Sequence, residues 1–245
     1  MSLKLSGFVH TRPEKEDLFD DLAGVLMRSA IDAVEQRGVF HIALSGGSTP
    51  EPFYMLLITD PRLRAIPWQQ THIWIVDERR VAADDERYNY RMICESLVDH
   101  LPMRDRQKHP MPVLIDDPAT QYENDIHELV DDQRLDFVLL GMGDDAHTAS
   151  IFPNSAAVDV RDRLIVVNDG ENVTPPDRVT MTYSLLNKAR ELAVLATGQK
   201  KTATLKAVDQ QLQNGGPDPT KMPITGIDPE DGELTWYLDG AAAGE

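Results

Sequence analysis

Between Glu14 and Arg37 the apolar residues Leu18, Leu22, Val25, Leu26, Ile31 and Val34 recur close to a 3.6-residue period. That spacing predicts a long amphipathic helix, and Gly38 supplies its stop. Val39–Leu44 follows as a short apolar run of the kind a buried strand needs. It breaks at Ser45-Gly46-Gly47-Ser48-Thr49-Pro50, after which a helix is expected through Ile58, with Thr49 as N-cap and Pro50 in the first helical position. The same alternation recurs. Strands are predicted over Thr71–Val76, Leu135–Leu140, Leu164–Val167, Arg178–Tyr183, Glu191–Ala196 and Glu233–Leu238. Helices are predicted over about Arg87–Val98, Ala119–Asp132 and Lys200–Leu212, and Gly215–Asp231 reads as a loop rich in Pro, Gly and Asp. Strands alternating with helices predict an α/β fold with a mostly parallel sheet covered on both faces, and one domain over residues 1–245. In such sheets ligands sit at the carboxyl ends of the strands, where three of these strands run into polar motifs.

Composition narrows the function classes. The 245 residues carry 24 Lys and Arg against 41 Asp and Glu, a formal net charge of −17. Such a field repels nucleic acid and anionic lipid, so neither is expected as a partner. No apolar run approaches the roughly 18–20 residues of a membrane span, and the first residues show no signal-peptide pattern, so a cytoplasmic location is expected. The single cysteine, Cys94, forms no internal disulfide and leaves no cluster for zinc. A chain this acidic must bind an anionic metabolite with a few local cations, so each Arg or Lys beside a polar motif matters.

Four stretches carry candidate chemistry. Ser45, Gly46, Gly47, Ser48 and Thr49 lie between a strand and a helix, where free N–H groups and hydroxyls can hold a phosphate. The same residues also read as a tight turn with a helix cap, and they fit neither the Walker nor the dinucleotide pattern. Asp77-Glu78-Arg79-Arg80 can bring a carboxylate and a guanidinium to the same mouth, or form a solvated turn. In Gly143-Asp144-Asp145-Ala146-His147-Thr148, His147 is placed as a general acid/base, with Asp145 to orient its ring. An Asp-x-His pair can also ligate a metal, but no second His or Cys follows at helical spacing, and no metal is expected. Arg178-Val179-Thr180-Met181-Thr182 reads on pattern as a half-exposed strand. Lys200 and Lys201 open a helix after a strand, where they can complete a phosphate site or lie on the surface. The other six histidines, His10, His41, His72, His100, His109 and His127, show no partner pattern.

Taken in order, Leu44–Pro50, Val76–Val81, Leu139–Pro153, Arg178–Thr182, Ala196–Leu205 and Leu234–Ala243 resemble the 6-phosphogluconolactonase family, within the glucosamine/galactosamine-6-phosphate isomerase superfamily. The resemblance implies a modified Rossmann-like fold and a metal-independent hydrolase of the oxidative pentose phosphate pathway, without cofactor, acting on a small sugar-phosphate lactone. It implies a catalytic His147 assisted by Asp145. The phosphate would rest on Ser45, Gly46, Gly47, Ser48, Thr49, Arg79 and Lys201, with Arg178 a further cation and Gly143 or Gly47 offering N–H groups to an oxyanion. A monomer or small homo-oligomer is expected. Three departures stand out: Ala146 replaces the family's Gly before the histidine, Lys200 replaces the Gly before the lysine, and Tyr88-Asn89 replaces Ser-Asn. The deaminases of the same superfamily carry a Glu five residues after the histidine and a Tyr after Asp-Glu, where this chain has Phe152 and Arg79. Sugar-phosphate-sensing regulators of the same fold add a basic DNA-binding module, for which no segment is spare here.

Overall fold

The structure, a computed structural model, describes residues 3–171 and 173–245. Its centre is a seven-stranded parallel sheet in the order β1-β10-β9-β6-β2-β3-β5. These strands are β1 (Phe8–Arg12), β2 (Phe40–Leu44), β3 (Thr71–Ile75), β5 (Lys108–His109), β6 (Phe137–Leu140), β9 (Glu191–Ala196) and β10 (Glu233–Asp239). The helices packed with them are α1 (Lys15–Arg37), α2 (Glu51–Thr59), α3 (Asn89–Ser96), α4 (Pro118–Leu129), α5 (Tyr183–Leu186), α6 (Thr202–Gly215) and α7 (Gly240–Ala243). This is the predicted α/β architecture. Every residue of β2 and β6 is buried, as their unbroken apolar runs require of strands covered on both sides. In α1 the residues Leu18, Leu22, Leu26, Ala30 and Ala33 are buried along one stripe. The helix ends at Gly38, whose φ of 79° lets its N–H reach the Val34 carbonyl at 2.9 Å. Among the described residues no helix is long and apolar enough to cross a membrane.

Four findings correct the sequence reading. First, β4 (Asp77–Arg79) is a strand rather than a turn, and with β7 (Ile165–Asp169) and β8 (Asp177–Met181) it forms a separate antiparallel sheet ordered β4-β8-β7. Second, β8 is not half-exposed: Arg178, Val179, Thr180 and Met181 are all buried, because β8 is the central strand between β4 and β7 and α4 packs against it. Third, α2 begins at Glu51 with Pro50 as its cap residue, and no side chain caps it. Fourth, β1 was not anticipated, since an edge strand with Phe8 and Val9 exposed has no continuous apolar run. The shortened start of α3 has a local cause. The buried Glu78 carboxylate accepts the Asn89 and Tyr90 N–H groups at 2.7 and 2.8 Å and so fixes where the helix begins.

The sheet order sets the place of the site. From β2 the chain proceeds to β3 and β5 on one side, while β6, β9, β10 and β1 lie on the other. The strand order therefore reverses between β2 and β6, and the loops leaving their carboxyl ends part to open a crevice.

Candidate active site

A cleft of about 230 Å³ lies at that switch point. Its walls are Ser45–Pro50 after β2, Gly141, Met142, Gly143, His147 and Ala149 after β6, Asp77 and Arg79 of β4, Asn89 of α3, and Leu195 of β9. Larger hollows exist elsewhere, such as one of about 660 Å³ beside α4 and α5. The smaller one gathers a histidine, a guanidinium and a glycine loop at strand ends, so chemistry rather than size selects it.

His147 Nδ1 lies 2.5 Å from Asp145 Oδ1, which also accepts the His147 backbone N–H at 3.1 Å. The carboxylate thus favours the tautomer protonated at Nδ1 and leaves Nε2 with its lone pair and no protein partner among the described residues. Burial pushes the Asp145 carboxyl up, but the hydrogen bonds and charge of His147 outweigh it and hold Asp145 below its ordinary value. Asp145 is therefore held as a carboxylate beside the ring. The histidine loop is fixed by its own backbone. Gly143 N–H donates to the His147 carbonyl at 2.8 Å, Thr148 Oγ1 to the Gly141 carbonyl at 2.9 Å, and Ile224 N–H to the Ala146 carbonyl at 2.9 Å. Ala146 is buried with φ of 64°, so the departure from glycine places a methyl group in the left-handed region. Gly143 is needed for space: a Cβ there would stand 2.2 Å from the His147 ring.

The glycine loop is a cradle as well as a turn. Among the described residues, the N–H groups of Gly46, Gly47, Ser48 and Thr49 have no protein acceptor. Gly46 packs on Asn89, where a Cβ would meet Oδ1 at 1.9 Å, and Asn89 in turn donates from Nδ2 to the Asp77 carbonyl at 2.8 Å. Tyr54 holds the start of the loop by donating its hydroxyl to the Ser45 carbonyl at 2.7 Å. Arg79 donates from Nη1 to the Arg87 carbonyl at 2.6 Å, while its buried Nε has no partner among the described residues.

The expected residues therefore divide. Gly46, Gly47, Ser48, Thr49, Arg79 and His147 line one cleft, and Asp145 supports His147. Ser45 lines it too, but its hydroxyl donates to the Leu139 carbonyl at 2.8 Å and is engaged in the fold. Of the two glycines expected to offer an N–H to an oxyanion, Gly143 already uses its own, and Gly47 does not. Arg178 faces Arg79 across the β4–β8 pairing but is not among the cleft-lining residues. It donates to the Pro175 carbonyl, and burial and the neighbouring Arg79 pull its guanidinium down. Lys201 also falls outside the lining, paired through Nζ with Asp144 Oδ1 at 2.5 Å. Asn89 is an unexpected member of the site, while Asp77 is the carboxylate that the Asp77-Glu78-Arg79-Arg80 stretch offered to this mouth. Asp77 is buried at the cleft and accepts the Ser150 hydroxyl at 2.5 Å. Its signal was its position directly after a buried strand. Among the described residues no group of three or more His, Cys, Asp and Glu side chains is arranged to hold a metal ion.

This geometry has relatives. Residues 13–236 match the family described as glucosamine-6-phosphate isomerases/6-phosphogluconolactonase. The chain belongs to this family. It is 36% identical over 232 residues to the GDH/6PGL endoplasmic bifunctional protein of Homo sapiens, a match covering 91% of this chain. The matched part is 28% of that protein's length, so the chain spans little more than a quarter of it. It is 34% identical over 245 residues to the 6-phosphogluconolactonase of Nostoc sp., covering 97% of each. The 6-phosphogluconolactonase structure from Trypanosoma brucei superposes with a TM-score of 0.80 at 26% identity, covering 99% of each chain.

Proposed function

We propose that this chain, acting as one domain, hydrolyses 6-phospho-D-glucono-1,5-lactone to 6-phospho-D-gluconate in the oxidative pentose phosphate pathway. The observation that carries the reading is the Asp145–His147 pair, 2.5 Å apart, with Nε2 free at a cleft that also offers Arg79 and four N–H groups without acceptors. The phosphate rests on Gly46, Gly47, Ser48 and Thr49 against Arg79, as a helix-start loop with free donors favours. Lys201 joins as a second cation, and Arg178, the cross-strand neighbour of Arg79, lends further charge. At the other end of the substrate, Nε2 of His147 removes a proton from water as the water oxygen bonds to C1. The tetrahedral oxyanion then collapses, the bond from C1 to the ring oxygen breaks, and the imidazolium returns its proton to that oxygen. Asp145 stays ionised throughout and stabilises the charged ring. These steps use water and side chains only; general base catalysis of this kind contributes about 10²–10⁴-fold.

The deciding assay generates the lactone in situ and follows 6-phosphogluconate with its dehydrogenase, with the spontaneous rate subtracted. Wild-type protein should exceed the uncatalysed rate, and His147→Ala should lose about 10²–10⁴ in kcat while still binding 6-phosphogluconate. Full activity in the His147 variant would remove the mechanism; no wild-type activity would remove the function. A cytoplasmic location and a monomeric or small homo-oligomeric state belong to the same proposal, and cell fractionation and light scattering decide them.

A further inference from the structure

Lys201 is the one expected phosphate cation that the structure finds already paired. Its side chain is only 17% exposed and its Nζ is 2.5 Å from Asp144 Oδ1. Asp144 is 71% exposed. The asymmetry matters. The Lys201 side chain is mostly covered and so confined in place, whereas the exposed Asp144 carboxylate is readily solvated when released. The Asp144 backbone is held separately, its carbonyl accepting the Thr204 hydroxyl at 2.8 Å. Asp144 can therefore let go of Lys201 by side-chain rotation alone, without moving Gly143, Asp145 or His147. Gly143, one residue away, lines the cleft, which puts the ammonium at the margin of the site.

We infer that Asp144 is a resident counter-ion that occupies Lys201 while the site is empty and yields it to the phosphate of the ligand. It is a residue that tunes the hold on the phosphate and never touches the reacting atoms. Because Asp144 and the phosphate exclude each other on one ammonium, each weakens the other's hold by the same factor. An anionic ligand takes Lys201 only by displacing that carboxylate, so Asp144 lowers the affinity for phosphate-bearing sugars by the cost of the displacement. The product carries the same phosphate, so Asp144 also hastens its departure. This inference rests on the proposed lactonase reading and deepens it.

The test uses Asp144→Asn, Lys201→Ala and the double variant, with thermal melting to confirm that each is folded. Calorimetric binding of 6-phosphogluconate and the KM for the lactone are the readouts. Asp144→Asn should tighten product binding and lower KM by up to about fivefold, the ceiling for an exposed ion pair. Lys201→Ala should weaken binding. In the Lys201→Ala background, Asp144→Asn should change nothing. Unchanged or weaker binding in Asp144→Asn would overturn the inference, since the pair would then be a structural clasp for the histidine loop. The same tightening in the double variant would also overturn it, since general charge repulsion would explain the effect. Both failures are separate from the failure of the lactonase reading, in which the wild type shows no catalysed hydrolysis.

Discussion

Histidines stand at both ends of the parallel sheet, and the two groups have opposite chemistry. At the carboxyl ends His147 has a carboxylate on Nδ1 and open space at Nε2. At the amino ends β2, β3 and β5 bring His41, His72 and His109 together around Trp74. His41 Nδ1 accepts the Trp74 indole N–H at 3.1 Å, His109 stacks on Trp74 with centroids 3.8 Å apart, and His72 and His109 share a 3.0 Å hydrogen bond. Burial pushes His41 down to about 3 and His109 down to about 4, helped by the charge of their histidine neighbours. One environment supplies a negative partner and an exit for a proton, and the other excludes charge. The same side chain keeps a free ring nitrogen at a cleft in the first and is an aromatic core residue in the second, so partner and solvation set the chemistry open to a histidine.

The contrast can be broken at several points. The largest effect is the loss of kcat in His147→Ala already described. Next comes Gly143→Ala, whose new Cβ would push into the His147 ring and its Asp145 contact. A displacement of about 1 Å costs on the order of 10²-fold in rate, and steady-state kinetics should show that loss in kcat with product binding retained. A variant of normal kcat would mean that the ring need not sit where Asp145 holds it.

The amino-end histidines are tested by acid. Their folded values lie below the unfolded value near 6.5, so the stability they permit is complete above 6.5 and is lost as pH falls toward about 4 and then about 3. Each contributes up to about 1.4 kcal/mol per pH unit. Glu78, pushed up to about 7 by burial against its N–H bonds, works in the opposite direction between about 7 and 4.5 and offsets one of them. Urea unfolding should show a net loss of about 1.4 kcal/mol per pH unit from pH 6.5 to 5, and His109→Gln should flatten that slope. A steep slope surviving in the variant would refute the assignment. The smallest effect is expected at Ala146→Gly. Relief of the left-handed methyl, less the entropy of a new glycine, should raise the melting temperature by about 2–4 °C and leave kcat within about twofold. A lower melting temperature would show that the Ala146 methyl packs better than its backbone suffers.

The legible and illegible parts of the molecule separate along the same line. Continuous apolar runs such as Leu135–Leu140 announced the central strands, and helix periodicity with a terminal glycine announced α1, since both signals are local. The strand β4 was illegible because Asp77-Glu78-Arg79 is all charge, and it becomes a strand only by pairing with β8. The cluster of His41, His72 and His109 was equally hidden. Parallel register sets His41 beside His72 and Trp74 beside His109, and no spacing within the chain reports that. At the site, Gly46–Thr49 and His147 carried their chemistry in their residue types. Asp77 and Asn89 joined through contacts between remote segments, as did the Lys201–Asp144 pairing.

The sequence by itself determined the α/β alternation, the strand ends at which polar motifs gather, and the histidine beside a carboxylate, because each is written within a few consecutive residues. Only the tertiary structure decided that Ser45 and Gly143 are engaged by the fold, that Arg178 pairs across strands with Arg79 outside the cleft lining, and that Lys201 already holds an anion. Those outcomes depend on which donors and acceptors remain unpaired once strands and loops distant in the chain have packed together, a property of the assembled fold that no local pattern encodes.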